Sequence, residues 1–243
     1  MTEKPHKKLF EWTPEMISWY ADSCEYSKND RNKKIAEAVI DVLPPHPYVC
    51  DIGCGIGTVS LELTKRASRV TAIDINRDAL NFLRETALRR GLDNLEIIEG
   101  NFADLEPPLT KADCVVFCMV RVDDLIEKAR LWTAGKIIIV TNPADYHSFS
   151  PKTKKNEKER IEKLRIYLKE NRLSYSENLI STSSGQPFRN FDSAVSFVSS
   201  YDRERSLNDI RNMLGECLED TGRTDFPFYL PNNKDYLIFT VDL

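Results

Sequence analysis

Nine residues, Val49-Cys50-Asp51-Ile52-Gly53-Cys54-Gly55-Ile56-Gly57, constrain this 243-residue chain more than any other stretch. An apolar run ends in three glycines at alternate positions, which reads as a buried strand turning sharply into a helix. Without Cβ atoms the turn can adopt dihedrals closed to other residues, and a ligand can lie against its backbone. In open α/β sheets such a corner lies beyond the carboxyl end of the strand and forms a nucleotide or nucleoside site. The spacing separates two classes. A dinucleotide domain carries Gly-x-Gly-x-x-Gly, which would need glycine at Thr58. Here the third glycine falls one position earlier, and Asp51 stands two residues before Gly53.

The flanking sequence alternates between two periodicities. Tyr48–Ile52, Arg69–Ile73, Asn94–Ile98, Ala112–Met119 and Lys136–Thr141 read as strands, the last through the continuous run Ile137-Ile138-Ile139-Val140. Helices are predicted over 31–43, Thr58–Arg66, Asp78–Arg90 and Asp123–Leu131. The third of these puts Leu80, Leu83, Ala87 and Leu88 on one face and ends at the C-cap Gly91. Strands alternating with helices of this length imply βαβ units and a parallel sheet. A charged helix over 152–172, a strand over Ser174–Ser183, amphipathic helices within 184–230 and a final strand at Tyr236–Val241 follow.

The run Asp-x-Gly-x-Gly-x-Gly resembles the first motif of class I S-adenosylmethionine-dependent methyltransferases. The resemblance covers about residues 35–145 and the final strand. It implies a Rossmann-like, doubly wound sheet of seven strands, mostly parallel with an antiparallel last strand and helices on both faces. It implies S-adenosylmethionine as cofactor and S-adenosylhomocysteine as product. On it, Asp51, Gly53, Gly55 and Gly57 would hold the methionine part of the donor. Asp74, at the end of the second strand, would accept hydrogen bonds from the two ribose hydroxyls, which suits the two oxygens of a carboxylate. Ile75 would offer an apolar face to the adenine. Asn101 would receive the adenine amino group, with a backbone N–H at Phe102 beside it. Cys118 and the residues after it would line the methyl-bearing sulfur. Each residue also has a plainer reading, as a tight turn, a helix cap or a loop position; order and spacing together favour the site.

The resemblance and the pattern together divide the chain into an N-terminal helical lid (1–47), a donor-binding core (48–183), a helical insertion shaping the acceptor pocket (184–230) and the last core strand (231–243). Among the aromatics Phe10, Trp12, Trp19, Tyr20 and Tyr26, Tyr20 is the candidate lid residue. His147, after Asn142-Pro143, is the candidate general base, with an ordinary pKa near neutrality. The six cysteines read as reduced, mostly buried thiols, rather than as a four-thiolate metal site.

A net charge of −4 gives no overall pull on nucleic acid. The lysines of 152–163 are interleaved with acids, so a solvated helix face is the better reading there. No run reaches membrane-spanning length, and the N-terminus has no apolar stretch of the secretory kind. The expected protein is therefore a cytoplasmic enzyme that transfers methyl to a small-molecule acceptor and interacts with neither membrane nor nucleic acid, with a homodimer as a further expectation. A protein or RNA methyltransferase, and a donor-binding protein without transferase activity, remain as alternatives. A nicotinamide oxidoreductase is disfavoured by the glycine spacing.

Overall fold

The computed structural model describes residues 12–122, 125–148, 150–154 and 156–243, without the side chains of 146–147 and 150–154. Phe10 and the first two residues of the helix expected at 123 lie outside the described residues. In chain order the elements are α1 (Pro14–Glu25), α2 (Arg31–Ile40), β1 (Tyr48–Ile52), α3 (Thr58–Leu63), β2 (Arg69–Asp74), α4 (Arg77–Arg90), β3 (Leu95–Glu99), β4 (Ala112–Cys118), α5 (Ile126–Trp132) and β5 (Thr133–Thr141). There follow β6 (Tyr146–His147), β7 (Ser150–Lys154), α6 (Glu157–Glu170), β8 (Ser174–Ser183), β9 (Gln186–Phe188), α7 (Phe191–Tyr201), α8 (Leu207–Cys217), β10 (Glu219–Asp220), β11 (Phe228–Leu230) and β12 (Asn233–Asp242).

The main sheet has seven strands in the order β3-β2-β1-β4-β5-β12-β8. The pairs from β3 to β5 are parallel, and β12 runs antiparallel to both β5 and β8. Strand order reverses between β1 and β4, so the carboxyl ends of these two strands frame the crevice where open α/β sheets bind ligands. Both faces are covered, as continuous apolar strands require. Alternate residues serve opposite faces. Val115, Phe117, Ile137 and Ile139 pack with Ile126, Ala129 and Trp132 of α5 and Ile161 and Leu168 of α6. Cys114, Val116, Ile138 and Val140 pack with Ile35 and Val39 of α2 and Val59 and Leu63 of α3. Cys50 belongs to the first cluster and Cys114 to the second. Opposite faces of one sheet cannot share a metal ion, which removes the four-thiolate arrangement.

Three expectations are corrected. The stretch 184–230 is not purely helical: β9, β11 and β10 form a small antiparallel sheet on which α7 and α8 pack. The charged segment starts with β7, paired to β6, and its helix begins only at Glu157. Leu88, expected on the buried face of α4, is 84% exposed; it lies at the edge of the helical stripe, past the reach of β3.

α1 is the element that ties the cap to the core. Thr13 caps it by accepting from Met16 N at 3.3 Å, and Pro14 at the first helical position needs no N–H partner. Its Trp19 packs edge-on to Phe197 of α7, centroids 5.2 Å apart. Gln186 Nε2 donates to Trp19 O, and Arg189 pairs with the buried Asp22 at 2.6 Å.

Candidate donor-binding site

Gly53, Gly55 and Gly57 have φ of 71°, 56° and 73°, the left-handed region that favours glycine. The turn is pinned to the neighbouring strand: Gly53 N and Cys54 N both donate to Ile73 O, at 2.7 and 3.0 Å. The three glycines do different jobs. A Cβ on Gly57 would meet Leu83 of α4 at 2.3 Å, so this glycine lets α4 close on the sheet. A Cβ on Gly53 would meet Val120 at 2.4 Å, and one on Gly55 would meet the Trp12 indole at 2.4 Å. The glycine corner is therefore walled by Val120 from the β4 side and by Trp12 from the N-terminal side.

Asp74 stands at the end of β2, where the sequence places it, and holds the corner directly. Its Oδ2 accepts from Gly55 N at 2.7 Å and its Oδ1 from Asn76 N at 2.8 Å. Asn76 then caps α4 by accepting from Ala79 N. Each carboxylate oxygen keeps a further lone pair, enough for a vicinal diol. Ile75 beside it is 50% exposed, an apolar surface on the open side of the crevice.

Asp51, the penultimate residue of β1, is 1% exposed. Ser60 of α3 donates to its Oδ2 at 2.5 Å, and its Oδ1 has no partner. Burial pushes this carboxyl up to about 6; the Ser60 hydrogen bond opposes the shift and the nearby Asp74 charge adds to it. A buried carboxylate oxygen without a donor is costly, and a ligand cation would relieve it. The chain thus offers a side-chain-free cradle, a two-oxygen acceptor and an orphaned buried anion around one crevice, a set that fits a nucleoside carrying a cationic amino-acid tail.

The other sequence candidates divide. Asn101 is exposed and braces its own loop: Nδ2 donates to Asp104 Oδ2 at 2.8 Å, and Oδ1 accepts from Ala103 N at 3.2 Å. Phe102 is 5% exposed, and its ring packs on Phe117 and Trp132 in the core. The side chain does not face the crevice, so only its backbone can serve a ligand. Cys118 lies at the carboxyl end of β4; burial raises its thiol to about 11, and it is neutral at ordinary pH. Tyr20 meets Trp12 edge-on at 5.0 Å, which sets it behind the ring that covers Gly55. Burial raises its phenol, while Arg31 and a hydrogen bond with Tyr201 of α7 act against that. His147 is in β6, and its side chain lies outside the described residues.

Two residues at the corner are not legible as site residues in the sequence. Trp12 reads there only as one of several N-terminal aromatics, and Arg31, whose Nη2 donates to Cys118 Sγ at 3.8 Å, as one charge in a charged helix. Met119, which follows Cys118 where the sequence expects the methyl-bearing side, is 49% exposed and takes φ of 61° while donating from its backbone N to Val140 O at 2.9 Å. A non-glycine residue there is uncommon and strained. It marks the end of β4 as a point where the chain is bent to fit the crevice.

Comparison with known proteins agrees with this geometry. Residues 49–135 match the family model described as a methyltransferase domain. A probable cobalt-precorrin-6B C(15)-methyltransferase (decarboxylating) of Methanobrevibacter smithii is 29% identical over 115 residues, 44% of this chain and 62% of that protein. A protein of the same description from Methanococcus maripaludis is 38% identical over 63 residues, 26% of this chain and 35% of that one. The chain thus spans less than two thirds of the length of these relatives. Among solved structures, a SAM-dependent methyltransferase from Aquifex aeolicus aligns with a TM-score of 0.58 at 14% identity, over 96% of this chain and all of that one. A precorrin-6y C5,15-methyltransferase from Geobacter metallireducens aligns with a TM-score of 0.52 at 13% identity, over 86% of each chain. Residues 49–135 thus match a methyltransferase domain, and the chain as a whole has the fold of S-adenosylmethionine-dependent methyltransferases.

Proposed function

We propose that this chain transfers the methyl group of S-adenosylmethionine to a nucleophilic atom of a small-molecule acceptor. The observation that carries the reading is the Asp74–Gly55 hydrogen bond. It binds the ribose-type acid to the glycine corner, so both halves of an adenosyl site are set at one fixed spacing before any ligand arrives. When bound, the sulfonium supplies an already activated methyl group. The protein's residues then need mainly to position and to exclude water. Asp74 orients the ribose, Ile75 supports the adenine, and Asp51 faces the ammonium end. Val120 and Met119 border the methyl-bearing side, and Trp12 with Tyr20 covers the corner.

On the acceptor side, the matched residues 49–135 exclude α1 and the cap of β9 to β11. The names of the relatives therefore speak to the donor half, and a cobalt-precorrin is the first acceptor to test rather than an inherited substrate. The described part of the basic segment, on α6, gives no support to a nucleic-acid partner. Lys158, Arg160, Lys163 and Arg165 of α6 are each paired with a carboxylate, on Asp145, Glu157, Glu159, Glu162 or Glu177. No helix among the described residues is long and apolar enough to cross a membrane. Calorimetric titration with S-adenosylmethionine and S-adenosylhomocysteine tests the donor reading; absence of binding at millimolar ligand refutes it. Methyl transfer from labelled donor to cobalt-precorrins and other small nucleophiles then tests the acceptor.

A further inference from the structure

The two edges of the seven-stranded sheet differ in how they are protected. A free edge presents unpaired backbone donors and acceptors that invite another strand, and proteins usually blunt it with short strands, charges, proline or bulges. β3, at one edge, has five residues, and its Glu96 and Glu99 are ion-paired with Arg69 and Arg77. β8, at the other edge, has ten residues. Its register with β12 runs from Ser174 to Ser183 without a bulge. It contains neither proline nor lysine, and Glu177 is its one charged residue.

Hydrogen bonds fix which groups of β8 face outward. In an antiparallel pair, alternate residues turn both backbone groups toward the neighbouring strand. Ser183 N donates to Asp30 Oδ1, Ser183 O accepts from Asp30 N, and Ser181 O accepts from Lys34 Nζ. The odd-numbered residues of β8 therefore point away from β12, and Asp30 and Lys34 close the carboxyl half of the outer edge. In the other half, no described residue hydrogen-bonds the N–H or C=O of Tyr175, Glu177 or Leu179. The side chains of these three share one face. Leu179 is 58% exposed, Tyr175 lies 6.0 Å from the Phe239 ring, and Glu177 accepts from Arg165 Nε and Nη2 at 2.8 and 2.6 Å.

This open segment is complementary to itself. A two-fold axis at Glu177 sets Tyr175 opposite the partner's Leu179 and Glu177 opposite the partner's Glu177, which uses all three open residues. Moving the axis to Asn178 sets Tyr175 opposite Ser181, whose carbonyl Lys34 already holds. Moving it to Ser176 sets Leu179 opposite Leu173, outside the strand. Tyrosine facing leucine is a favourable cross-strand pair that would cover the exposed Leu179. Two facing glutamates would repel, but each is already neutralised by the fork of its own Arg165. We propose that β8 pairs antiparallel with β8 of a second copy of this chain about a two-fold axis at Glu177, so that the main sheet continues across both copies.

The test uses the full chain. Sedimentation velocity and light scattering on the wild type should give twice the 28.0 kDa of one chain. Glu177→Pro removes one outward N–H and none of the bonds to β12, which run through Ser176 and Asn178. Leu179→Lys places a charge on the same edge without touching the backbone. Both variants should sediment as monomers and keep the wild-type circular dichroism spectrum. Amide exchange at Tyr175, Glu177 and Leu179 should be slow in the wild type and fast in Leu179→Lys, while Ser176 and Asn178 stay protected in both. A monomeric wild type overturns the proposal, as does a dimer that survives either substitution. Fast exchange at all three amides within a wild-type dimer overturns it too, because the contact would then lie elsewhere on the molecule.

Discussion

Asp51→Asn should make the ligand-free protein more resistant to unfolding at neutral pH while disabling the donor site. The folded protein holds the Asp51 carboxyl at about 6, against an ordinary 3.8. A folded-state value above the unfolded one means that the native state binds the proton more tightly. The resulting stabilisation is fully present below 3.8 and is lost as pH rises through about 6. The shift is about 2 units, and each unit is worth about 1.36 kcal/mol, so ionising Asp51 costs the fold up to ~3 kcal/mol above neutrality. Asparagine keeps the Ser60 hydrogen bond through its carbonyl oxygen and removes the charge. It also buries a new amide N–H where Oδ1 had no partner, at a cost of about 1–2 kcal/mol. The net gain at pH 7.5 is then about 1–2 kcal/mol. The sharper readout is the pH dependence. Urea unfolding of both proteins at several pH values between 4 and 7.5 should show the variant gaining on the wild type by up to ~3 kcal/mol across that window. Groups such as Glu96 and Glu177, held below their usual range by Arg69 and Arg165, are common to both proteins and cancel in the difference. Parallel pH profiles would refute the reasoning, because they would mean that Asp51 ionises in the fold as it does in the unfolded chain. Saturating S-adenosylhomocysteine should raise the stability of the wild type more than that of the variant. The affinity of the wild type should weaken as pH falls below about 6, where Asp51 takes up its proton.

Asp74→Ala removes the acceptor for Gly55 N and for the ribose together, and should weaken S-adenosylhomocysteine binding by about 2–3 kcal/mol in calorimetry; unchanged affinity would reduce Asp74 to a strand-end brace. The two glycine variants should separate. Gly57→Ala drives a Cβ into Leu83 in a left-handed position and should cost about 2–3 kcal/mol in urea unfolding, whereas Gly55→Ala carries the same left-handed strain but meets the movable Trp12 ring, and should lose donor affinity with a smaller stability change. Trp12 fluorescence should respond to S-adenosylhomocysteine, because the indole lies against the backbone that the donor would approach; Trp12→Phe should abolish most of that response, and an emission change that survives the substitution would place the reporter at Trp19 or Trp132.

The legible parts of this molecule are those fixed by local periodicity or by a rule of the backbone. Tyr48–Ile52 is a strand because five consecutive residues are buried on both faces, and Gly91 ends α4 because its φ of 64° stops the helix. The three glycines betray a corner for the same reason. What the sequence hides is assigned by tertiary approach. Val120, Trp12 and Leu83 each fill the space of one missing Cβ, and no local signal distinguishes the glycine that admits α4 from the glycine that admits a lid. Phe102 follows the third strand as an adenine-side residue should, yet its ring turns inward because Phe117 and Trp132 offer more apolar contact than the crevice does. The cap reads as helical in the sequence because α7 and α8 carry the 3.6-residue period, while β9, β10 and β11 are two or three residues long and too short to show a period of two. Arg31 is hidden for the most instructive reason. Nothing in a charged helix start marks one arginine as having no carboxylate partner among the described residues; that shows only after Asp30 has taken Lys34 as its partner at 2.8 Å and the fold has carried the guanidinium to Cys118. The donor corner is thus written in the backbone rules of a short segment.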